Sequence, residues 1–279
     1  MASLMMLFPE GREKALTLSY DDGVEQDKKL IEILDQYGIK ATFNLNSGCY
    51  AAEGTTYPKG TIHRRMSYNE VTKTYSNTTH EVAVHGLNHP WLEQMPEGLV
   101  AYEIAEDRKN LEQQFSTIVR GMAYPFGTYS DTVVDTIRSC GIVYSRTVNS
   151  SHNFNVPIDW LRLSPTCHHD DPNLMTLAKK FVEDSYQWNP YLFYVWGHSY
   201  EFEQKDNWHV IEEFASYVGK HDHIWYATNI ETYDYMDAYR KLQFAYDLSR
   251  VKNPTAFTIW FKKDSKVFQV APGETIELA

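Results

Sequence analysis

The chain has 279 residues, of which 43% are apolar and 23% are charged, and its formal net charge is −11. This composition excludes a disordered chain and a coiled coil, and the negative charge argues against general binding to nucleic acid or to anionic membranes. The N-terminal apolar run at 4–8 is shorter than a secretory signal needs, and no run approaches the about 18–20 apolar residues of a membrane helix, so unless a leader has been removed we expect a soluble, cytoplasmic protein.

Strand and helix patterns alternate through most of the chain. Short apolar runs bounded by turn residues predict strands at 15–20, 40–45, 82–84, 122–124, 142–145, 191–196 and 223–227. Apolar residues at helical spacing predict helices that end at Gly38, begin after Ser67, or cover 98–115, 131–140, 174–186, 208–218 and 230–239. Repeated β-then-α units with buried strands predict an α/β fold with a parallel sheet, and about seven such units favour a closed (β/α) barrel over an open sheet.

The last 29 residues have a different pattern. Three β-rich stretches at 255–261, 267–270 and 275–278 are separated by turns at 262–265 and 272–273. We predict a barrel domain at 1–250 and a small C-terminal β-strand extension at 251–279 that packs on the barrel, because so short a segment cannot fold alone. Elsewhere, three widely spaced cysteines predict neither a disulfide framework nor a cysteine metal site.

Two adjacent carboxylates, Asp21 and Asp22, follow the first predicted strand and precede Gly23. Adjacent carboxylates repel each other, and a bound cation is a common reason to keep them together. An equally weighted alternative is that one of them caps the helix that follows.

A His-x-x-x-His pattern follows the strand at 82–84. The spacing of His85 and His89 allows both imidazoles to face one ion. Two histidines and one carboxylate with open positions suit Zn²⁺, Fe²⁺ or Co²⁺.

A third polar group, His198, ends the strand at 191–196, where α/β barrels place catalytic groups. It suits general acid or base work, although a hydrogen-bonded histidine at the barrel rim is the simpler interpretation of this residue alone.

The order of these motifs is similar to that of the polysaccharide deacetylase family, the carbohydrate esterases with a NodB-type domain. Four segments carry the resemblance over about residues 14–240: Ser-Tyr-Asp-Asp-Gly at 19–23, His-Gly-Leu-Asn-His at 85–89, Tyr-Pro-Phe-Gly at 124–127 and Trp-Gly-His at 196–198. The resemblance implies a distorted (β/α) barrel and the removal of acetyl groups from N-acetylated sugars by hydrolysis. It also implies one divalent metal, zinc by default, with Co, Ni, Fe or Mn as alternatives.

The resemblance further implies a role for each matched residue. Asp22, His85 and His89 correspond to the metal ligands, Asp21 to the catalytic base and His198 to the catalytic acid. A water held by the metal would be the nucleophile.

Residues of the later motifs are expected to contact the substrate. The backbone N–H of Phe126 corresponds to an oxyanion donor, and Tyr124, Trp160 and Trp196 are candidates for the sugar and acetyl pocket. Asp159, next to Trp160, corresponds to the aspartate that orients the acid histidine, but it could equally cap a loop.

Two positions depart from the family pattern. Gly86 replaces a hydroxyl residue, and Ala123 stands where the family has an arginine that braces the catalytic aspartate. We predict that Arg146, which follows the next strand, takes over that contact; a surface arginine is the alternative.

Parts of the sequence are compatible with two other functions and with one other metal site. The degraded motif positions allow a catalytically weak barrel that only binds metal and carbohydrate, although pure binding would not need Asp21 and His198. A non-haem iron oxygenase is disfavoured by the βα alternation and by the order of the ligands. The adjacent His168 and His169 are not expected to bind one ion, because neighbouring residues of an extended chain point to opposite faces.

Overall fold

A parallel sheet of eight strands is the centre of the fold in the computed structural model, which describes residues 3–184 and 189–278. The strands of the described residues are β1 Leu4–Leu7, β2 Lys14–Asp21, β3 Ala41–Leu45, β4 Glu81–Val84, β5 Gly121–Ala123, β6 Tyr144–Arg146, β7 Cys167–His168, β8 Tyr191–Gly197, β9 Ile224–Tyr226, β10 Gln243–Phe244, β11 Arg250–Lys252, β12 Ile259–Lys263, β13 Lys266–Val270 and β14 Thr275–Glu277. The helices are α1 Asp27–Gln36, α2 Tyr68–Tyr75, α3 Glu97–Phe115, α4 Asp131–Ser139, α5 Leu174–Glu183, α6 Ser199–Gln204, α7 His209–Val218 and α8 Asn229–Arg240.

The sheet has the order β6-β5-β4-β3-β2-β8-β7, and β9 pairs with the first half of β2 on the side where β3 pairs with its second half. The sheet is curled, and the stretch 163–168 joins its two edges. Leu163 pairs with Arg146 of β6, with its N–H 2.9 Å from the Ser145 carbonyl oxygen, and Cys167 pairs with Val195 of β8. The predicted α/β barrel of about seven strands, distorted rather than regular, is therefore confirmed.

The predicted barrel strands and helices are present, with ends that differ by at most two residues except at the end of α5, whereas β7 and α6 were not predicted. Ser67 and Glu70 form a capping box at the start of α2, and Ser130 caps α4. The helix predicted for 174–186 ends earlier, at Glu183, because Asp184 is extended, and the rest of the predicted stretch lies outside the described residues.

Buried strands explain the sequence pattern of the barrel. Every residue of β2 and β3 is buried, since the two strands lie between the helices outside and the barrel interior. The main hydrophobic core joins these strands to the apolar faces of α1, α3, α4, α5 and α7. Within the described part of the chain, no helix is both long and apolar enough to cross a membrane.

The three predicted C-terminal strands do not pair simply in sequence order. β12 and β13 form a hairpin, but β12 also pairs with β1, which the sequence analysis missed, while β14 pairs with β11 rather than with β13. The first of the predicted C-terminal strands starts only at Ile259, because the residues before it form a turn around the side chain of Asn253. Its Oδ1 accepts the N–H of Thr255 at 2.9 Å, and its Nδ2 donates to the carbonyl oxygen of Phe257 at 2.7 Å. These strands share a second core cluster with α8 and with the first residues of β2 and β8. The division of the chain at residue 250 stays a prediction.

Candidate active site

Four parallel strands bring the candidate residues to one end of the barrel. β2 ends at Asp21, β4 leads into His85, β5 leads into the segment 124–127, and β8 leads into His198. The carboxyl ends of parallel strands meet at the same edge of a sheet, which is why distant motifs converge. A pocket of about 450 Å³ at this edge is lined by Asp21, Asp22, His85, His89, Tyr124, Phe126, Gly127, Val148, Trp196, His198 and Tyr200.

Asp22, His85 and His89 form a compact group of potential metal ligands. One donor atom from each lies within 4.8 Å of the others, and Nε2 of His89 is 3.9 Å from Oδ1 of Asp22. Asp22 and His89 both have a positive φ, 86° and 54°, so local backbone conformation turns these side chains into the pocket. The structure thus brings together the three residues that the sequence predicts as ligands.

The surroundings of His85 fit a metal ligand. Its Nδ1 lies 2.8 Å from the carbonyl oxygen of Ala123, so the ring proton belongs on Nδ1 and the lone pair of Nε2 faces the carboxylates. A backbone carbonyl behind the ring is the usual way in which proteins orient a ligating imidazole. Burial lowers the pKa of His85 to about 4, which keeps the ring neutral and available to a cation.

Two basic side chains that the sequence analysis missed contact Asp22. Nη2 of Arg65 is 2.9 Å from Oδ1, and Nε2 of His63 is 3.2 Å from Oδ2. Burial alone would raise the pKa of Asp22, but His63 and Arg65 hold it well below its ordinary value. Both residues come from the loop before α2, and the run His-Arg-Arg at 63–65 was the only signal for them in the sequence.

Asp21 is buried among groups that fix both of its oxygens. Nδ2 of Asn44, from β3, donates to Oδ1 at 2.8 Å, and Nη2 of Arg146 donates to Oδ2. Burial opposes ionisation, but the charge of Arg146 lowers the pKa of Asp21 below its ordinary value. Oδ2 also lies 3.8 Å from Nε2 of His85 and 3.8 Å from Nε2 of His198.

Arg146 reaches Asp21 from β6, the strand next to the one that contains Ala123. In the register of β5 and β6, Ala123 and Arg146 are direct neighbours. The guanidinium lies 4.3 Å from the ring centre of Trp196, a cation–π contact in the barrel interior. The contact between Arg146 and Asp21 is therefore present as predicted, whereas its catalytic role is part of the proposal below.

His198 is held by Glu201, which the sequence analysis missed. Oε2 of Glu201 accepts the backbone N–H of His198 at 3.2 Å and lies 3.4 Å from Nδ1 of its ring. Burial opposes protonation, but Glu201 and Asp21 together raise the pKa of His198 above its ordinary value. A glutamate three residues after a strand-end histidine, at the start of α6, was the available signal.

Asp159 and Trp160 do not reach the pocket. Asp159 caps the short helical turn at 160–162, with Oδ1 3.0 Å from the N–H of Leu161 and Oδ2 2.7 Å from Nη1 of Arg162. The loop-capping alternative therefore describes its position, and the structure does not bring it to His198. Trp160 is buried in the second core cluster, edge-on to Tyr233.

Phe126 and Tyr124 line the pocket, as expected. The ring of Phe126 is 44% exposed and stacks on Trp91 with centroids 3.9 Å apart. Its φ of 59° is left-handed, so this turn is held in a conformation that ordinary residues avoid. Tyr124 is buried and donates its hydroxyl to the Leu161 carbonyl at 2.8 Å.

His168 and His169 contradict the expectation that adjacent histidines diverge. β7 ends at His168 and the chain turns at His169, so the rings lie only 4.4 Å apart. Nε2 of each ring is 3.2 Å from Oε2 of Glu201.

Comparisons with known proteins identify the family of the chain. Residues 9–145 match the sequence profile of the polysaccharide deacetylase family. No curated protein matches the sequence.

Solved structures resemble the chain at low identity. A crystal structure from Mycobacterium smegmatis that carries the provisional name of a polysaccharide deacetylase matches with a TM-score of 0.58. The match has 15% identity, covers 85% of this chain and 94% of that one, and shows the fold. A family 4 carbohydrate esterase from Streptomyces lividans in complex with acetate has a TM-score of 0.49 at 15% identity, over 77% of this chain and 92% of the other. The Streptococcus pyogenes deacetylase PplD, also with acetate, has a TM-score of 0.42 at 22% identity over 47% of this chain, which spans 55% of that protein.

Proposed function

We propose that this chain, whose residues 9–145 belong to the polysaccharide deacetylase family, is a metal-dependent hydrolase that removes acetyl groups from N-acetylated sugars. The observation that carries the proposal is the position of Asp21. Its Oδ2 lies 3.8 Å from the imidazole of His85 on one side and 3.8 Å from that of His198 on the other. A base and an acid thus flank the group of potential metal ligands, as acyl transfer to water requires.

Asp22, His85 and His89 are the residues that would hold the metal. Their donor set of one carboxylate and two imidazoles suits zinc, and it leaves open positions toward the pocket. A divalent ion bound there would supply Lewis acidity toward the acetyl carbonyl and would lower the pKa of water.

Asp21 is suited to accept a proton from the attacking water. Arg146 and Asn44 fix its two oxygens, so the carboxylate keeps one orientation, and its lowered pKa keeps it ionised and ready as an acceptor. The backbone N–H of Phe126, at the mouth of the pocket, is proposed as a donor to the developing oxyanion.

His198 is suited to protonate the leaving amine. An amide nitrogen leaves poorly unless it receives a proton, and Glu201 both orients the ring and favours its charged form. Glu201 thereby takes the position that the sequence analysis assigned to Asp159. The exposed rings of Trp91 and Phe126 beside the pocket provide an apolar face on which a sugar ring can stack.

The test is acetate release from a panel of mono- and oligosaccharides of N-acetylated amino sugars, together with metal analysis of each protein. We expect the wild type to bind metal and to release acetate, Asp21→Asn to keep the metal but lose activity, and His85→Ala to lose activity with its metal. His221→Ala, a change at a histidine outside the pocket, is the matched control and should retain both properties. Metal binding without acetate release from any substrate would instead support the catalytically weak metal- and carbohydrate-binding barrel.

A further inference from the structure

A second group of potential metal ligands lies beside the pocket. It consists of His168, His169, Asp170 and Glu201, and one donor atom from each lies within 4.8 Å of the others. None of the first three belongs to the machinery proposed above. The cluster joins the turn after β7 to the first turn of α6.

The distances within this cluster are those of neighbouring ligands around one ion. Two ligands at tetrahedral positions on zinc, each about 2.0–2.1 Å from the metal, are about 3.3–3.4 Å apart. Nε2 of His168 and Nε2 of His169 are each 3.2 Å from Oε2 of Glu201. Oδ2 of Asp170 is 3.5 Å from Nε2 of His169.

His169 supplies an independent observation. Its side chain is fully buried between the rings of Tyr20 and Phe202, and neither ring nitrogen has a hydrogen-bond partner among the described residues. Two carboxylate oxygens approach Nε2 within 3.5 Å, but neither contact has the geometry of a hydrogen bond. Buried polar groups are rarely left without partners, and a cation held by both oxygens would give this nitrogen a partner.

The cluster is accessible from outside and is set up to receive an ion. The side chains of His168, Asp170 and Glu201 are each about a fifth exposed, at 23%, 21% and 19%. Nδ1 of His168 faces Asp170, 3.2 Å from its backbone nitrogen, which leaves Nε2 directed toward Glu201. Lys205 forms an ion pair with Asp170 and is the group that an arriving cation would displace.

We propose that His168, His169, Asp170 and Glu201 form a second site for a divalent transition metal of the zinc class, separate from Asp22, His85 and His89. Two imidazoles and two carboxylates make a four-ligand set without cysteine, which suits Zn²⁺, Co²⁺ or Ni²⁺. Because Oε2 of Glu201 also lies 3.4 Å from Nδ1 of His198, an ion at this site shares a ligand with the proposed acid. Occupancy of the second site therefore changes how firmly His198 is held.

The test counts zinc bound by chelator-stripped protein, by calorimetric titration and by elemental analysis of the dialysed complex. We expect about two equivalents for the wild type, about one for His85→Ala, about one for His168→Ala or Glu201→Gln, and none when His85→Ala and His168→Ala are combined. His221→Ala, at a histidine pair outside both clusters, is the control and should keep two.

Cobalt binding in the His85→Ala background isolates the second site. We expect a visible Co²⁺ absorption spectrum that disappears on addition of His168→Ala. Far-UV circular dichroism verifies the fold of each variant, and Glu201→Gln, which conserves shape, replaces His168→Ala if the latter does not fold. A wild type that binds a single equivalent, or a second equivalent that survives both His168→Ala and Glu201→Gln, overturns the proposal. Neither result bears on the first site, which His85→Ala reports alone.

Discussion

Arg146 forms a buried ion pair with Asp21 from a position directly beside Ala123 in the parallel register of β5 and β6. The side chains of both partners are at most 3% exposed. An arginine on the neighbouring strand thus makes the contact that the resemblance to the family leads one to expect from the position of Ala123.

Removing Arg146 should damage both stability and activity. Arg146→Ala leaves Asp21 buried without its charged partner, so we expect the free energy of unfolding to fall by about 3–5 kcal/mol. We also expect the rate of acetate release to fall at least about tenfold, because a loss of about 1.4 kcal/mol of transition-state stabilisation already has that effect. Urea unfolding and initial rates measure the two effects. Arg162→Ala, at an arginine that pairs with exposed carboxylates, is the control and should change neither by much. Unaltered rates in Arg146→Ala would rule out its proposed role.

The role of His198 can be separated from metal binding by the choice of leaving group. His198→Ala should slow acetate release from N-acetylated sugars by about 10²–10⁴-fold, the usual contribution of a general acid. Hydrolysis of an aryl acetate with a good leaving group should fall far less, because that oxygen departs without a proton. The ratio of the two rates is the measurement, and His223→Ala is the control. Equal losses on both substrates would exclude the assignment of His198 as the acid.

Asp27 should make stability depend on pH. Burial raises the pKa of this carboxyl from 3.8 to about 7, while the hydroxyls of Ser199 and Tyr75 contact it at 2.5 Å each. Between pH 4 and pH 7 the folded chain therefore holds a proton that the unfolded chain has released. Stability from this group is present below pH 4 and decreases by about 1.4 kcal/mol per pH unit as the pH rises to 7.

The variant Asp27→Asn removes this titration and keeps the size of the side chain. Compared with the wild type in chelator-treated samples, it should gain relative stability as the pH rises from 4 to 7, measured by urea unfolding at each pH. Asp131→Asn, at a carboxylate that is 93% exposed, should follow the wild type. A difference between Asp27→Asn and wild type that stays constant with pH would show that Asp27 titrates normally.

Gly197 makes room for His169. A Cβ at Gly197 would overlap the imidazole of His169, which is enclosed by Tyr20 and Phe202 and cannot move aside. We expect Gly197→Ala to destabilise the fold by about 1–3 kcal/mol, as overpacking usually does. Gly98→Ala, on α3 where a Cβ meets nothing within 4 Å, should instead be neutral or stabilise by up to about 1 kcal/mol. Thermal or urea unfolding of the two variants measures both changes in stability.

The sequence predicted the barrel because its signals are local. Fully buried strands such as β2 and β8 appear as continuous apolar runs, and the carboxylates and histidines at their ends directly follow those runs. The two-residue strand β7 has no such signal. The strand β1 forms only because it pairs with β12, about 250 residues away in the sequence.

The candidate site was only partly predictable for a related reason. Arg65 reaches Asp22 from a distant loop, and no spacing rule connects the two residues. Glu201 lies three residues after His198, but this spacing predicts only a helix start and not a contact with the imidazole. The role predicted for Asp159 depended on residue types alone. Its carboxylate instead accepts a hydrogen bond from the nearby backbone N–H of Leu161. The predicted divergence of His168 and His169 assumed an extended chain, whereas the strand ends between them.

The stretch 163–168 that joins the two edges of the sheet also delivers His168 and His169. Its connection to β6 consists of few hydrogen bonds, among them Leu163 N–H to Ser145 O at 2.9 Å and Thr147 N–H to Leu163 O at 2.8 Å. Transient separation of these strands would widen the ring of strands between β6, which carries Arg146, and β7, which leads into the histidine pair. Amide hydrogen exchange at Leu163 and Thr147 would then report the frequency with which the catalytic end of the molecule comes apart, well before global unfolding.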